Sequence, residues 1–295
     1  MVSRRAFLGT AAALAASSTL AGRALAAAAA RPDSKFGGVQ IGVITYSYRS
    51  LPGSAEDTLK HVLACGISSI ELMGGTAEQF AKAYAGGKDG KQSADLMAGY
   101  KALRKMYADA GVGIHIVKFG NIGDAKMSDE QIETYFQAAK ALGAKGITRE
   151  ISLDAAKRLG PIADKHQIMI GFHNHTQLTP TLYDGDILSY GKYLAINLDI
   201  GHYMAGTSQS AIPLIEKHHA RILSLHLKDR KKANGPNMPF GQGDTAVAEV
   251  LRYVKKNKFP FPADIELEYK IPADSDAVKE VTNCVQFCKK ALTST

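Results

Sequence analysis

The sequence predicts an α/β fold, a (β/α)8 TIM barrel, on three observations. After residue 38, short apolar runs alternate with longer amphipathic ones through eight strand-like segments, the beat of a parallel sheet with crossover helices. The first strand-to-helix turn carries no GxGxxG sequence, which argues against an open dinucleotide-binding sheet. Without residues 1–30 about 265 residues remain, a length that α/β barrels commonly fill as one domain.

Each element has a local reason. Val39 to Thr45 reads as strand 1, and Ala55 to Ala64 as a helix with Ser54 as its cap. Ser69 to Met73 is strand 2. Residues 76–94 form a polar excursion, helix then Gly-rich loop, and Leu96 to Ala110 a helix terminated at Gly111. Gly113 to Phe119 is strand 3. Ser128 to Leu142 is a helix with Ser128 and Gln131 spaced as a capping box. Gly146 to Ile151 is strand 4, Leu153 to His166 a helix, Ile168 to His173 strand 5 and Leu194 to Asp199 strand 6. A helix over Ser208 to His218, strand 7 over Ile222 to Leu227, a helix over Ala246 to Lys256, strand 8 over Ala263 to Tyr269 and a final helix over Ala277 to Leu292 complete the pattern.

Residues 1–30 read as an address followed by an Ala-rich linker, with one barrel domain over 31–295. Ser3-Arg4-Arg5-Ala6-Phe7-Leu8-Gly9 has the form of a twin-arginine signal, Ala11 to Leu20 that of a short apolar region, and Ala24-Leu25-Ala26 that of a cleavage site. The expectation is export through the twin-arginine pathway, to the periplasm or beyond. No later stretch approaches the ~18 apolar residues of a membrane span, so no stable membrane insertion is expected once the signal is removed. The formal charge of +8 becomes +5 without Arg4, Arg5 and Arg23. Lysines are interspersed with acids apart from modest clusters near Lys228–Lys232 and Lys255–Lys258, a solvated surface and not a nucleic-acid footprint. Three cysteines make no disulfide framework; Cys284 and Cys288 share a helix face. The sequence is silent on oligomeric state and leaves a homo-oligomer open.

Chemistry gathers where barrel strands end. Strand 4 ends at Glu150, strand 6 at Asp199 before Ile200-Gly201-His202, strand 7 runs through His226, Lys228 and Arg230, and strand 8 holds Glu266 and Glu268. Residues two apart share a strand face. Glu150, Asp199, His226 and one of Glu266 or Glu268 can therefore converge, and three carboxylates with one imidazole suit Mn2+, Mg2+ or Co2+, with Zn2+ also accommodated. In His173-Asn174-His175, His173 is expected to pack inside against a carboxylate, with His175 exposed and titrating in the range for proton transfer. Lys228 and, just beyond, Arg230 can hold a substrate hydroxyl or a developing oxyanion, with Lys118 a candidate of the same kind. Tyr46 and Tyr48 can offer ring faces to a sugar. Glu71, inside strand 2, reads as structural.

These segments resemble the xylose-isomerase-like superfamily, specifically its sugar phosphate isomerase/epimerase group. The resemblance spans nearly all of residues 39–292 and rests on Gly66-Ile67-Ser68-Ser69-Ile70-Glu71-Leu72, Gly171-Phe172-His173-Asn174-His175, Ile265-Glu266-Leu267-Glu268 and above all Leu198-Asp199-Ile200-Gly201-His202. It implies a metal-dependent barrel with Glu150, Asp199, His226 and Glu266 as ligands, Mn2+ foremost. Glu266 is favoured because Phe259 matches the family's aromatic residue seven places before its ligand Glu, which leaves Glu268 as a substrate contact. His202 and Arg230 are similar to the family's substrate-binding His and Arg, and His175 to its strand-5 His. The expected catalytic side chains are then His175, Lys228 and His202, with Arg230, Lys118, Tyr46 and Glu268 on the substrate. One departure matters: Ile151-Ser152-Leu153-Asp154 follows Glu150 where the family's epimerases place a second acid/base Glu.

The expected chemistry is proton abstraction beside a carbonyl, of isomerase or epimerase type. The expected partner is a non-phosphorylated sugar, keto-sugar or cyclitol, since phosphorylated metabolites are mostly cytoplasmic. β-Elimination, or cleavage of a keto-glycoside, shares the first step. A sugar-binding protein on a barrel without chemistry is the alternative. A metal phosphodiesterase fits poorly, because it wants a richer metal cluster and a basic groove.

Overall fold

The computed structural model describes residues 31–86 and 95–294; the signal-like segment and part of the Gly-rich loop lie outside them. Eight parallel strands close on themselves: β1 (Val39–Ile44), β2 (Ser69–Met73), β3 (Gly113–Lys118), β4 (Gly146–Glu150), β5 (Met169–His173), β6 (Leu194–Asp199), β7 (Ile222–Leu227) and β8 (Ala263–Ile265), each bonded to its neighbours and β8 back to β1. The barrel expectation is met. The strands are buried on both faces, hence their runs of Val, Ile and Leu.

The helices form the outer layer: α1 (Ala55–Ala64), α2 (Gly74–Ala85), α3 (Leu96–Asp109), α4 (Asp129–Leu142), α5 (Leu153–His166), α6 (Ile200–Thr207), α7 (Ile212–His218), α8 (Val247–Asn257) and α9 (Ala277–Thr293). Capping chemistry sets their starts. Ser54 accepts from Asp57 N, Ser152 from Ala155 N, and Ser128 with Gln131 forms the full capping box. The main core lies between this layer and the outward faces of the strands. A small second cluster of Ile116, Ala195 and Leu223 is separate from it.

Two expectations are corrected. The helix after β6 starts at Ile200, not Ser208, because Asp199 is itself its cap. Ser208 instead ends α6 in the left-handed region at φ 56°, and a second helix, α7, follows with proline in its first turn. Strand 8 is shorter than Ala263 to Tyr269. Glu266 N still donates to Leu227 O at 3.0 Å, but the next amide, Leu267 N, turns to Ser47 Oγ, and Arg49 takes the Leu267 carbonyl. Side chains replace the ladder just where Glu266 and Glu268 project. Among the described residues, no helix is long and apolar enough to cross a membrane, and all three cysteines are free and buried.

Candidate metal centre and cavity

The C-terminal ends of the strands surround a cavity of about 210 Å³, reached by Glu150, His173, His175, His202, Lys228 and Glu266, with Tyr46 and Met73 on its apolar side. A larger cleft of about 720 Å³ lies between the start of α1 and the side of α2; it contains Glu56 alone among acidic or imidazole groups and is the lesser site on chemical grounds.

The loop after β6 shows how the sequence sets the geometry. Asp199 Oδ1 accepts from His202 N at 2.7 Å, so capping α6 fixes the carboxylate and leaves Oδ2 facing inward. Oδ2 is buried and accepts no well-directed hydrogen bond, although the Lys228 ammonium stands 3.0 Å away. Gly201 is required at its position: a Cβ there would meet the Lys228 carbonyl oxygen at 2.5 Å. Asn174 ties the ends of β5 and β6 together. Its Nδ2 donates to Asp199 O at 3.1 Å and its Oδ1 accepts from Asp199 N at 3.0 Å.

Ligand-type atoms of His173, Asp199, His226 and Glu266 all lie within 4.8 Å of one another, and every one of these residues is buried. Glu150 falls in an adjoining group with His173 and His175 that meets the same limit. The structure thus brings Asp199, His226 and Glu266 together and seats His173 beside them, while Glu150 joins through His173. His173 is also not held by a carboxylate, as the sequence suggested. Its Nδ1 lies 2.7 Å from the Asn197 amide oxygen, whose NH2 donates to Ser224 Oγ at 2.6 Å. Nδ1 is therefore the donor and Nε2 keeps its lone pair. Burial, and then the cationic His226 and Lys118, push the His173 pKa down to about 3, so the ring is neutral.

His226 is gripped at both nitrogens, Nε2 by Glu71 at 2.8 Å and Nδ1 by Glu266 at 3.0 Å. Burial opposes its charge, but the two carboxylates outweigh it and raise its pKa to about 10. Burial likewise works against the Glu71 anion, yet His226, Lys118 and a 2.5 Å hydrogen bond from Thr148 Oγ1 bring its pKa down to about 2. Glu71 therefore orients His226 from behind, as ligand histidines are commonly oriented. Sequence reading assigned Glu71 no function and did not consider Asn174 or Asn197. The available signal was polar residues two apart inside buried strands: Thr148 before Glu150, Asn197 before Asp199, Ser224 before His226.

Lys228 is nearly fully buried. Its Nζ reaches Glu268 at 2.7 Å, Asp199 at 3.0 Å and Glu266 at 3.1 Å. Burial disfavours the ammonium, but these carboxylates hold its pKa above the usual lysine range. On the opposite wall, His175 Nε2 donates to Glu150 Oε2 at 2.7 Å and Lys118 meets Glu150 Oε1 at 3.0 Å. Hydrogen bonding to Glu150 outweighs partial burial and raises the His175 pKa. Burial alone would raise the Glu150 pKa, but His175 and Lys118 hold it well below the carboxylate range. Arg230 contacts His202 and the Gly235 carbonyl. Tyr46 lines the cavity with Arg49 stacked over its ring at 4.6 Å, whereas Tyr48 is buried with its hydroxyl on Cys65 Sγ and offers no ring face.

The donor set suits a divalent cation: two carboxylates, a neutral imidazole with an outward lone pair, a second imidazole oriented by Glu71, and a buried carboxylate oxygen without a hydrogen bond.

Eight parallel strands closed with helices, and polar residues at their C-terminal ends, define a TIM barrel, and the solved structures similar to it include xylose isomerase domain proteins. Among solved structures, a xylose isomerase domain protein from Alicyclobacillus acidocaldarius matches with a TM-score of 0.68 at 11% identity, over 86% of this chain and 99% of that one. An L-ribulose 3-epimerase matches with a TM-score of 0.60 at 14% identity, over 86% and 94%. No family profile matches the sequence. In sequence, the chain is similar to an inosose dehydratase from Erwinia tasmaniensis, 27% identical over 153 residues; the match takes in 48% of this chain and 42% of that protein's length.

Proposed function

We propose that this barrel is a divalent-metal-dependent enzyme of isomerase or epimerase type that removes a proton beside a carbonyl of a non-phosphorylated sugar, keto-sugar or cyclitol. The carrying observation is the convergence of His173, Asp199, His226 and Glu266 on a cavity that also holds the His175–Glu150 pair. When bound there, a divalent cation supplies Lewis-acid polarisation of a carbonyl and its neighbouring hydroxyl. The residues that would hold it are Asp199, His226, Glu266 and His173, with Glu150 alongside. A second imidazole softens the set expected from sequence and favours Mn2+, Co2+ or Zn2+ over Mg2+.

The chain's own groups do the rest. His175, half-exposed, commits Nε2–H to Glu150, so Nδ1 is the free base that takes the proton, and Glu150 stabilises the resulting cation. Lys228, with Glu268 beside it, steadies the substrate oxygens. The cavity volume suits one sugar-sized ring, and Tyr46 gives it an apolar face. The Arg4-Arg5 motif supports export through the twin-arginine route. This address favours an unphosphorylated substrate, and so does the pairing of both cavity lysines with carboxylates, Lys118 with Glu150 and Lys228 with Glu268.

A lyase reading has its own support, the likeness to an inosose dehydratase. It shares proton abstraction and differs in the loss of a β-hydroxyl afterwards. The test is metal analysis of the purified protein together with solvent-deuterium incorporation into keto-hexoses, 3-keto-glycosides and inososes, with products identified by NMR. Metal-dependent exchange, lost in Asp199→Ala and His226→Ala together with the metal, is expected. A full metal complement in both variants overturns the ligand assignment, and the absence of exchange with every substrate overturns the enzyme in favour of a sugar-binding barrel.

A further inference from the structure

A second hollow, of about 290 Å³, adjoins the metal-site cavity between the turn that follows β1 and the chain that follows β8. Glu268 lines both spaces. Tyr46 lines the first, and Arg49, stacked over the Tyr46 ring at 4.6 Å, lines the second. A substituent that leaves a sugar ring on the side away from Glu150 and His175, and passes Glu268, enters this hollow. The two spaces differ in charge. In the first the lysines are neutralised, Lys118 by Glu150 and Lys228 by Glu268. In the second, Arg49 and Lys270 are exposed, and among the described residues neither is paired with a carboxylate. Glu268 is the one acid among the residues that line it, and Lys228 holds that carboxylate at 2.7 Å. Arg49 is also set in place. Its Nη1 donates to Leu267 O at 2.7 Å and to Tyr46 O at 3.2 Å, and the Tyr46 ring supports the guanidinium plane. Nε and Nη2, whose N–H bonds run parallel along one edge of the fork, keep no hydrogen-bond partner among the described residues. Two parallel N–H groups match the two oxygens of a carboxylate, and a fork ordered beforehand loses little freedom on binding.

We propose that this hollow is an anion subsite in which Arg49, with Lys270 lining the same space, captures the carboxylate of a sugar acid, so that the substrates are keto-sugar acids of the uronate kind and not neutral sugars. The ring stays in the first cavity, against Tyr46, and the carboxylate lies beyond Glu268. Two unpaired cations at the mouth also raise the local concentration of an anionic sugar. The substrate class rests on the proposed carbonyl chemistry. The capture of a carboxylate does not.

The test compares probes that differ at one carbon only: D-fructose, D-fructuronate and D-fructose 6-phosphate, with a hydroxymethyl, a carboxylate and a phosphate ester at that position, and the matching D-tagatose and D-tagaturonate. Binding to the full chain is measured by titration calorimetry in chelator, where no cation can hold the carboxylate. At least one of the two acids should bind about tenfold or more tightly than its neutral counterpart. That preference should fall to near unity in Arg49→Gln and by less in Lys270→Gln. Arg49→Lys should recover only part of it, since an ammonium lacks the fork; full recovery overturns the two-point contact. In the deuterium-exchange assay the loss in Arg49→Gln should fall on KM for the acid. Equal binding of acid and neutral sugar overturns the subsite, as does no measurable binding of either acid. So does a preference that survives Arg49→Gln, or an Arg49→Gln variant that weakens acid and neutral sugar alike, which would make the residue merely structural. A phosphate ester bound more tightly than the acid overturns the carboxylate assignment. A carboxylate preference that depends on Arg49, in a protein that exchanges none of the probes, leaves the subsite standing and counts against the enzymatic reading alone.

Discussion

The two walls of the cavity carry similar residues in opposite settings. On the β6–β8 wall, Asp199, His226 and Lys228 are almost completely buried and Glu266 nearly so, and each charge faces an opposite one. On the β4–β5 wall, Glu150 and His175 have side chains 42% and 50% exposed. A buried wall holds its charges in fixed places, because moving or unpairing them is costly in a low-dielectric interior. An exposed wall can exchange protons with substrate and water. The difference suggests a division between holding and reacting, and four variants can break or sharpen it.

The largest effect is expected on the buried wall. Lys228→Met leaves Asp199 and Glu266 facing each other without their ammonium, which should cost about 3–5 kcal/mol of stability in urea unfolding under chelator. A loss below about 1 kcal/mol, the usual range for an exposed pair, would mean that this wall is as adaptable as the other. Next comes His175→Gln. It should lower deuterium exchange by about a hundredfold, with bound metal unchanged and unfolding free energy moved by no more than about 0.5 kcal/mol. Exchange that survives would shift the base elsewhere and remove the distinction between the walls.

Glu71→Gln comes third. Glu71 does not line the cavity; it meets His226 directly and His173 through the Asn197 amide, so Glu71→Gln should weaken Mn2+ binding by about tenfold in titration calorimetry and leave the exchange rate at saturating metal near the wild-type value. Unchanged affinity would show that His226 and His173 are held well enough by their other partners, Glu266 and Asn197.

Glu71 also marks where sequence reading stops. The helices were legible because their signals are local: Ser54 and Ser128 each cap within three residues, and α1 and α5 begin and end where expected. The strand ends were legible as a set because polar residues interrupt apolar runs there. What could not be read was pairing. Thr148 and His226, which give Glu71 its place, are 77 and 155 residues away, and nothing in the chain fixes which of several strand-end acids shares a point in space. For the same reason sequence did not place His173 with the strand-end acids, although β4 and β5 are neighbours, Glu150 and His173 pair directly in register and His173 belongs to both candidate groups. The missed helix start at Ile200 has a different cause. Asp199 serves as helix cap and inward carboxylate at once, and a reading that used it as a ligand did not also use it as a cap.

The smallest effect tests how far the exposed wall depends on its scaffold. β4 ends at Glu150 and α5 starts three residues later, its first turn held by Ser152 Oγ accepting from Ala155 N at 3.2 Å. Ser152→Ala removes that bond and should cost about 1 kcal/mol in unfolding. The buried wall has no contact with this cap, so Mn2+ affinity should not move. Glu150 is in addition held by Lys118 and His175, so exchange should fall by less than about twofold if those partners suffice to place it. A larger drop at unchanged metal affinity would locate the precision of the reacting wall in the start of α5, not in the ion pairs, and would make the contrast between the two walls one of backbone support as much as of burial.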